Sequence, residues 1–218
     1  VCMYGYAAFR EKLIFICIIS TALFIFMLLT PLCKTLLFSA GIGTSGAKFL
    51  RLPEGARATG MGNSFCSIAD DASAIFYNPA GITQLKKTEI LLVYNKYLEK
   101  IYYSTLGVVY PINDDKFLGI SAKYLTTPEI QGTDDAGDYT KPFQASDLAV
   151  LISYGRKINK EFKLGINTKL IYQKNEDENA VSIAGDIGCL YYFKPIKLYL
   201  GLNLQNISPG IKFININD

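Results

Sequence analysis

The feature that most constrains this chain is a period-two alternation of apolar and polar residues that sets in near Thr88 and returns in stretch after stretch. Residues 197–205 show it most cleanly: Leu198, Leu200, Leu202 and Leu204 alternate with Lys197, Tyr199, Gly201, Asn203 and Gln205. Side chains of a strand point alternately to its two faces, so this string predicts a strand whose faces meet different surroundings. Residues 117–125 set Leu118, Ile120, Ala122 and Tyr124 against Gly119, Ser121 and Lys123. Residues 163–173 set Leu164, Ile166, Leu170 and Tyr172 against Lys163, Gly165, Asn167, Lys169 and Gln173. Residues 147–155 set Leu148, Val150, Ile152 and Tyr154 against Ala149, Ser153 and Gly155.

Seven strands are predicted, near residues 88–97, 100–111, 116–125, 146–156, 161–173, 181–193 and 196–206. Most are ~9–12 residues long, against about 9–11 for a tilted membrane-crossing strand and about 5–6 for strands of soluble sheets. Tyrosines such as Tyr94, Tyr110, Tyr124, Tyr172 and Tyr191 gather near strand ends, where a crossing strand meets the membrane interfaces. The connections alternate in length. Asn113-Asp114-Asp115, Ile158-Asn159-Lys160 and Lys194-Pro195 are tight; residues 126–145 are long and acidic, 174–180 medium and charged. The link at Leu98-Glu99 is short on the side that should carry longer loops. Short turns on one side and longer loops on the other fit an outer-membrane barrel, with the start of the first strand periplasmic. Alternation alone also fits a soluble sandwich or a lipocalin-like barrel, because either face could be the buried one. Strand length, tyrosine placement, loop asymmetry and the leader favour the membrane. The expected fold class is all-β: the N-terminal part of an antiparallel transmembrane β-barrel, over residues 88–218.

The leader is residues 1–40. Arg10 and Lys12 precede an apolar run over residues 13–32, and Phe38-Ser39-Ala40 supplies a small residue before Gly41. This reads as a secretory signal peptide, with an uncleaved anchor as the alternative because the run could cross a bilayer as a helix. Composition narrows the functions. There is no His among the 218 residues, which removes the commonest general base and a common metal ligand. A net charge of +3 gives no electrostatic footprint for nucleic acid. Of five cysteines only Cys66 and Cys189 lie beyond the leader, without metal-binding spacing. No catalytic residue, metal or cofactor is expected, and the chain is not expected to be an enzyme.

Between leader and strands lies "GARATGMGNSFCSIADDASAIFYNPAGI", residues 55–82, rich in Gly and Ala and keeping neither period for long. Gly41-Ile-Gly43-Thr-Ser-Gly46 formally fits a dinucleotide fingerprint but lacks the strand before and the helix after it. Asp70 and Asp71 are expected to cap the Ala-rich turn that follows. Gly60 and Gly62 are expected to turn sharply or to approach a neighbour closely. Asn78-Pro79-Ala80-Gly81 is a turn signal, with Gly81 free to take a positive φ. Irregular backbone at membrane depth is tolerated only when protein or a water-filled cavity encloses it. Residues 41–87 therefore read as a plug in the barrel's lumen. Arg57 is expected to pair with a plug or wall carboxylate, since an isolated enclosed charge is costly. Lys123, Lys163, Lys169 and Lys197 either line a polar interior or are simply solvated.

Gly55-Ala56-Arg57-Ala58, Gly60-Met61-Gly62, Ala69-Asp70-Asp71 and Tyr77-Asn78-Pro79-Ala80-Gly81, led by "KFLRLPEGAR", resemble the N-terminal signature of the PorV/PorQ-like outer-membrane proteins, within the FadL/TodX superfamily of barrel transporters. The resemblance implies a fourteen-stranded barrel plugged by its N-terminal segment, located in the outer membrane of a diderm bacterium. It implies transport of a hydrophobic small molecule or handling of a secreted protein cargo, as in type IX secretion, with outer-membrane lipid as the surroundings; a structural protein without a ligand is a third reading. Its site residues would be Gly55, Arg57, Gly60, Gly62, Asp70, Asp71, Asn78, Pro79 and Gly81. The chain departs from the pattern in supplying only about seven strands and no terminal aromatic, which reads as the N-terminal half of a longer protein.

Overall fold

The structure is a computed structural model that describes residues 46–97, 100–133, 136–176, 178–210 and 213–215. The leader expectation and most of the formal glycine fingerprint lie outside those residues. The strands are β1 (Glu89–Lys96), β2 (Tyr102–Pro111), β3 (Lys116–Thr126), β4 (Ser146–Lys157), β5 (Phe162–Asn175), β6 (Glu178–Phe193), β7 (Leu198–Ile207) and the short β8 (Phe213–Asn215). The first seven pair antiparallel in chain order as one half-barrel sheet, and β8 adds to β6. Each predicted strand is present, with ends shifted by a few residues.

The medium loop expected over residues 174–180 is instead nearly all strand. Lys174 pairs with Asn179 and Asn175 with Glu178, so the ladder runs to a tight reversal at Glu176, whose φ is 48°. Charged residues read as loop because they are polar, but at a strand end both faces can be solvated. The long connection after β3 also continues the ladder loosely, through bridges between Ile130 and Phe143 and between Thr133 and Tyr139. The tight turns behave as expected. Asn113 Oδ1 accepts from the amides of Asp115 and Lys116, and Asn159 Oδ1 does the same for Glu161 and Phe162.

The two faces of the sheet differ as the alternation demands, and their assignment is now fixed. Leu92 is 78% exposed, Ile120 55%, Ile152 54%, Ile183 60% and Leu202 63%. The apolar side is thus the bare one. The other face carries Gly, Ser, Thr, Asn and Lys together with Val109, Phe117, Leu151, Ile171 and Leu190, and it is covered by residues 46–87. No helix among the described residues is long and apolar enough to cross a membrane, a fact that does not bear on strands.

Candidate functional site

The covering segment is short pieces rather than one element: 3₁₀ turns at Lys48–Arg51 and Pro79–Gln84, and brief helices at Ala56–Gly60 and Ala74–Tyr77. Its apolar side chains, led by Phe49, Phe65, Ile75, Ile82 and Leu85, are fully buried and form one cluster with the wall. Pieces this short leave many backbone groups without intrahelical partners, and buried orphans are costly.

The wall supplies the missing partners. Lys123 Nζ donates to the Leu52 carbonyl at 2.8 Å and Tyr103 Oη to that of Pro53 at 2.9 Å. Asn167 Nδ2 donates to the Ile75 carbonyl at 2.8 Å, Gln205 Nε2 to Phe76 at 2.7 Å and Asn203 Nδ2 to Tyr77 at 2.5 Å. Polar residues from β2, β3, β5 and β7 therefore hold a segment that cannot satisfy itself.

The Asn78 turn is the tightest part of this seam. Asn78 is fully buried; its Nδ2 donates to the carbonyls of Cys66 and Cys189 at 2.9 and 3.0 Å. Its Oδ1 accepts from the Ala80 amide at 3.1 Å and so caps the 3₁₀ helix that Pro79 opens. One side chain thus ties the segment to itself and to β6. Beneath it lies a ladder of glycines: Gly155 pairs with Gly165 across β4 and β5, and Gly165 with Gly188 across β5 and β6. A Cβ on Gly165 would stand 2.2 Å from the Pro79 carbonyl carbon, and one on Gly188 2.1 Å from Asn78 Oδ1. At Gly165 backbone meets backbone, and at Gly188 the strand backbone meets the side chains of Asn78 and Pro79; only glycine leaves room for either. Gly81 acts the same way from the other side, because a Cβ there would lie 2.3 Å from the Ala69 carbonyl oxygen. Its φ is not positive, so the expected left-handed turn is replaced by a close approach.

Two ion pairs are sealed under the segment. Lys123 Nζ and Glu54 Oε1 stand 2.6 Å apart with both side chains almost wholly buried. Burial pushes the Glu54 carboxyl above its ordinary value, against the opposing pull of Lys123. Lys169 Nζ lies 2.9 Å from Asp186 Oδ1. Asp186 sits where the β6–β7 register shifts, and its carboxylate also accepts from the displaced Asn206 amide at 2.8 Å and from Asn167 Nδ2 at 2.7 Å. The solvated reading therefore fails for Lys123 and Lys169. Lys163 is half-buried beside Gln84, and Lys197 is exposed at the turn before β7.

The other sequence-derived candidates form a second, exposed group. Arg57 meets Asp70 and, at 3.3 Å, Asp71, with its guanidinium 5.2 Å from the Phe65 ring. These partners lie in the segment itself, and the Arg57 side chain is 52% exposed, so the burial argument behind its pairing does not hold. Its pKa is raised further by hydrogen bonding to Asp70. Asp71 Oδ1 accepts from the Ser73 amide at 2.9 Å, just ahead of the helical turn, whereas Asp70 caps nothing and serves Arg57. Neither aspartate anchors the segment to the wall; Glu54 does. Gly55 and Gly62 have φ of 79° and 63°, as a sharp turn requires, but Gly60 has neither a positive φ nor a neighbour within 4 Å. Gly60 simply ends a helix in open space.

Glu54 and Asp186, the two buried carboxylates, are not among the residues the sequence singled out. The available signal was a lysine at the centre of an inward face, which calls for a buried carboxylate. Among the described residues no three carboxylates or thiols converge as metal ligands would. Cys66 and Cys189 are free thiols, and burial pushes that of Cys66 up.

Comparison with known proteins fixes the family. Residues 39–218 match the model of the uncharacterised protein family UPF0164. A UPF0164 protein of Treponema pallidum (strain Nichols) is 24% identical over 200 residues, which cover 80% of this chain and 47% of the relative. The chain thus spans about half the length of the curated relative it matches. These matches overturn the resemblance to the PorV/PorQ-like proteins and the FadL/TodX superfamily, to which nothing in them points. The physical reason is plain: the Gly, Ala and Asn-Pro-Ala-Gly positions of residues 55–81 are what close packing against a glycine-bearing sheet demands, and that demand is not peculiar to one family. The chain belongs to the uncharacterised protein family UPF0164.

Proposed function

We propose that this chain forms part of a transmembrane β-barrel in the outer membrane of a diderm bacterium. Residues 46–87 act as a plug in its lumen, and the whole protein moves material across that membrane rather than catalysing a reaction. One observation carries the reading: the apolar face of the seven strands is bare, while the face bearing lysine, asparagine and glycine is covered. A soluble sheet would bury its leucines and isoleucines, because exposing so many together forfeits the main driving force for folding. Lipid removes that penalty. β1 and β7 end the sheet, and unpaired strand edges are not viable in a bilayer, so further strands of the whole protein would close the barrel.

The walls beside the segment select no cargo class: one cleft of about 440 Å³ is bordered by Arg51, Asn63 and Gln205 and equally by Leu50, Leu52, Pro53 and Phe76. The test uses the full-length protein in detergent and in liposomes. Migration that changes on boiling, and quenching of a probe at Ile152→Cys by brominated lipid, are the expected results. A probe at Ile152→Cys that is quenched by aqueous iodide and not by brominated lipid would sink the membrane assignment. Solute efflux from the liposomes that rises when Asn78→Ala loosens the plug would support a passage.

A further inference from the structure

The covered face treats its lysines unequally. Lys123 has Glu54 and Lys169 has Asp186. Lys157 on β4 and Lys163 on β5 are direct cross-strand partners, and no described carboxylate stands within ion-pair distance of either, or of Lys86 nearby. Like charges placed opposite each other across strands destabilise the pair, more so where protein excludes water. The surroundings hold the amines in place without neutralising them. Lys163 Nζ donates to Gln84 Oε1 at 3.3 Å, and Gln84 is oriented by donating from Nε2 to the carbonyls of Ile68 and Ala69 at 2.9 and 3.0 Å. Lys157 Nζ lies 4.8 Å from the Phe117 ring centroid, a face that attracts cations and leaves their charge intact.

Lys86, Lys157 and Lys163 border one cleft of about 500 Å³ at the tight-turn end of the sheet, with Thr83 and Asn113 beside them. Asp114 also borders it but lies beyond ion-pair distance of the three amines. We propose that this cleft is a binding site for a phosphate group. Three ammonium groups match a phosphomonoester, which carries about −1.5 to −2 charges at neutral pH, better than they match a single carboxylate. The group supplies the countercharge that the lysine pair lacks, and the cleft has room for an organic moiety attached to it. The site does not depend on the bare face meeting lipid.

Two sources share this chemistry, a free phosphate and a lipid headgroup. The experiment takes full-length protein in an uncharged detergent at low ionic strength. One arm measures binding of radiolabelled inorganic phosphate by equilibrium dialysis. The other follows the thermal midpoint in micelles doped with phosphatidic acid, whose headgroup is a phosphomonoester, or with phosphatidylcholine. Saturable phosphate binding that falls at least tenfold in Lys157→Gln/Lys163→Gln is the expected result, and it identifies a free phosphate. A midpoint raised by phosphatidic acid alone, in the wild type and not in the variant, identifies a headgroup. With no anion present the variant should be at least as stable as the wild type, since its repulsion is gone. The proposal is overturned by no response in either arm, by a response that chloride reproduces at equal ionic strength, by a response kept in the variant, or by an anion-free variant that is less stable.

Discussion

Replacing Gly165 with alanine tests the seam between segment and sheet at its narrowest point. The new methyl carbon would stand 2.2 Å from the Pro79 carbonyl carbon, 2.3 Å from the Ala80 nitrogen and 2.5 Å from the Pro79 oxygen. Ordinary carbon–carbon contacts lie at about 3.5–4.0 Å, so segment or strand must yield by more than about 1 Å. All three neighbours are backbone atoms, and Asn78 fixes that backbone to Cys66 and Cys189, so no flexible side chain can absorb the change. Overpacking costs about 1–3 kcal/mol, occasionally more, and this geometry belongs at the upper end. Alanine recovers roughly 0.5–1 kcal/mol over glycine within a strand, which leaves a net loss of about 2 kcal/mol. Guanidinium unfolding of the full-length protein in detergent reads that loss, and trypsin cleavage at Lys86 and Lys87 reads displacement of the segment. Gly185→Ala is the control, because its Cβ would meet only the Asn167 carbonyl oxygen, at 3.4 Å. If both variants unfolded at the same denaturant concentration and were cut at the same rate, the close-approach account of the glycine ladder would be refuted.

Lys123→Met leaves the Glu54 carboxylate sealed without its partner and should cost about 3–5 kcal/mol, whereas Lys123→Met with Glu54→Leu should recover most of it in a double-mutant unfolding cycle. Asn78→Ala removes the donor to two buried carbonyls and the cap of the 3₁₀ helix, for an expected loss of about 2–4 kcal/mol by guanidinium unfolding. Gly60→Ala should be neutral or slightly stabilising, while Gly62→Ala, forced to a φ of 63°, should lose about 1–2 kcal/mol, although both sites face open space. Between the ordinary glutamate value and its raised folded value, the Glu54 carboxyl holds a proton in the folded state that the unfolded chain has released. Stability should therefore fall as pH rises through that window, and this slope should be missing from the pH profile of Glu54→Gln.

Strand existence and the partition of each strand into two faces were legible because period two is a local property, carried by residues such as Leu198 to Leu204. Which face would be covered was not a local property. The sequence bore on it only indirectly, through strand length, tyrosine placement, loop asymmetry and the leader, whereas the covered face itself is set by residues 46–87 folding over the glycines and amides. Within the segment, the Asn78-Pro79 turn was legible from its own chemistry. The role of Gly81 was not, because Ala69 approaches it from elsewhere in the chain. Arg57 with Asp70 and Asp71 attracted attention as the visible charges, yet they are the exposed ones. Glu54 and Asp186 escaped notice because a carboxylate's burial depends on what folds over it. Asp186 depends further on a register shift that no pattern in β6 announces.

The contacts of the segment divide along its length in a way that bears on how it could move. Residues 55–64 are mostly exposed, and their charges and turns are satisfied within the segment. Residues 78–83 are wholly buried and rest on backbone of three strands. Losing the second region would strand Asn78, open the space over Gly155, Gly165 and Gly188, and unpair carbonyls on both sides. The wall's own ion pair, Lys169 with Asp186, would survive such a loss, since both partners belong to strands. Lys123 would not be so protected, because its partner Glu54 leaves with the segment. A segment built this way detaches most cheaply at residues 55–64 and stays wedged at Asn78. Any opening of it would therefore be a local rearrangement of the exposed part, with the glycine ladder as its fixed side, rather than expulsion of the whole segment.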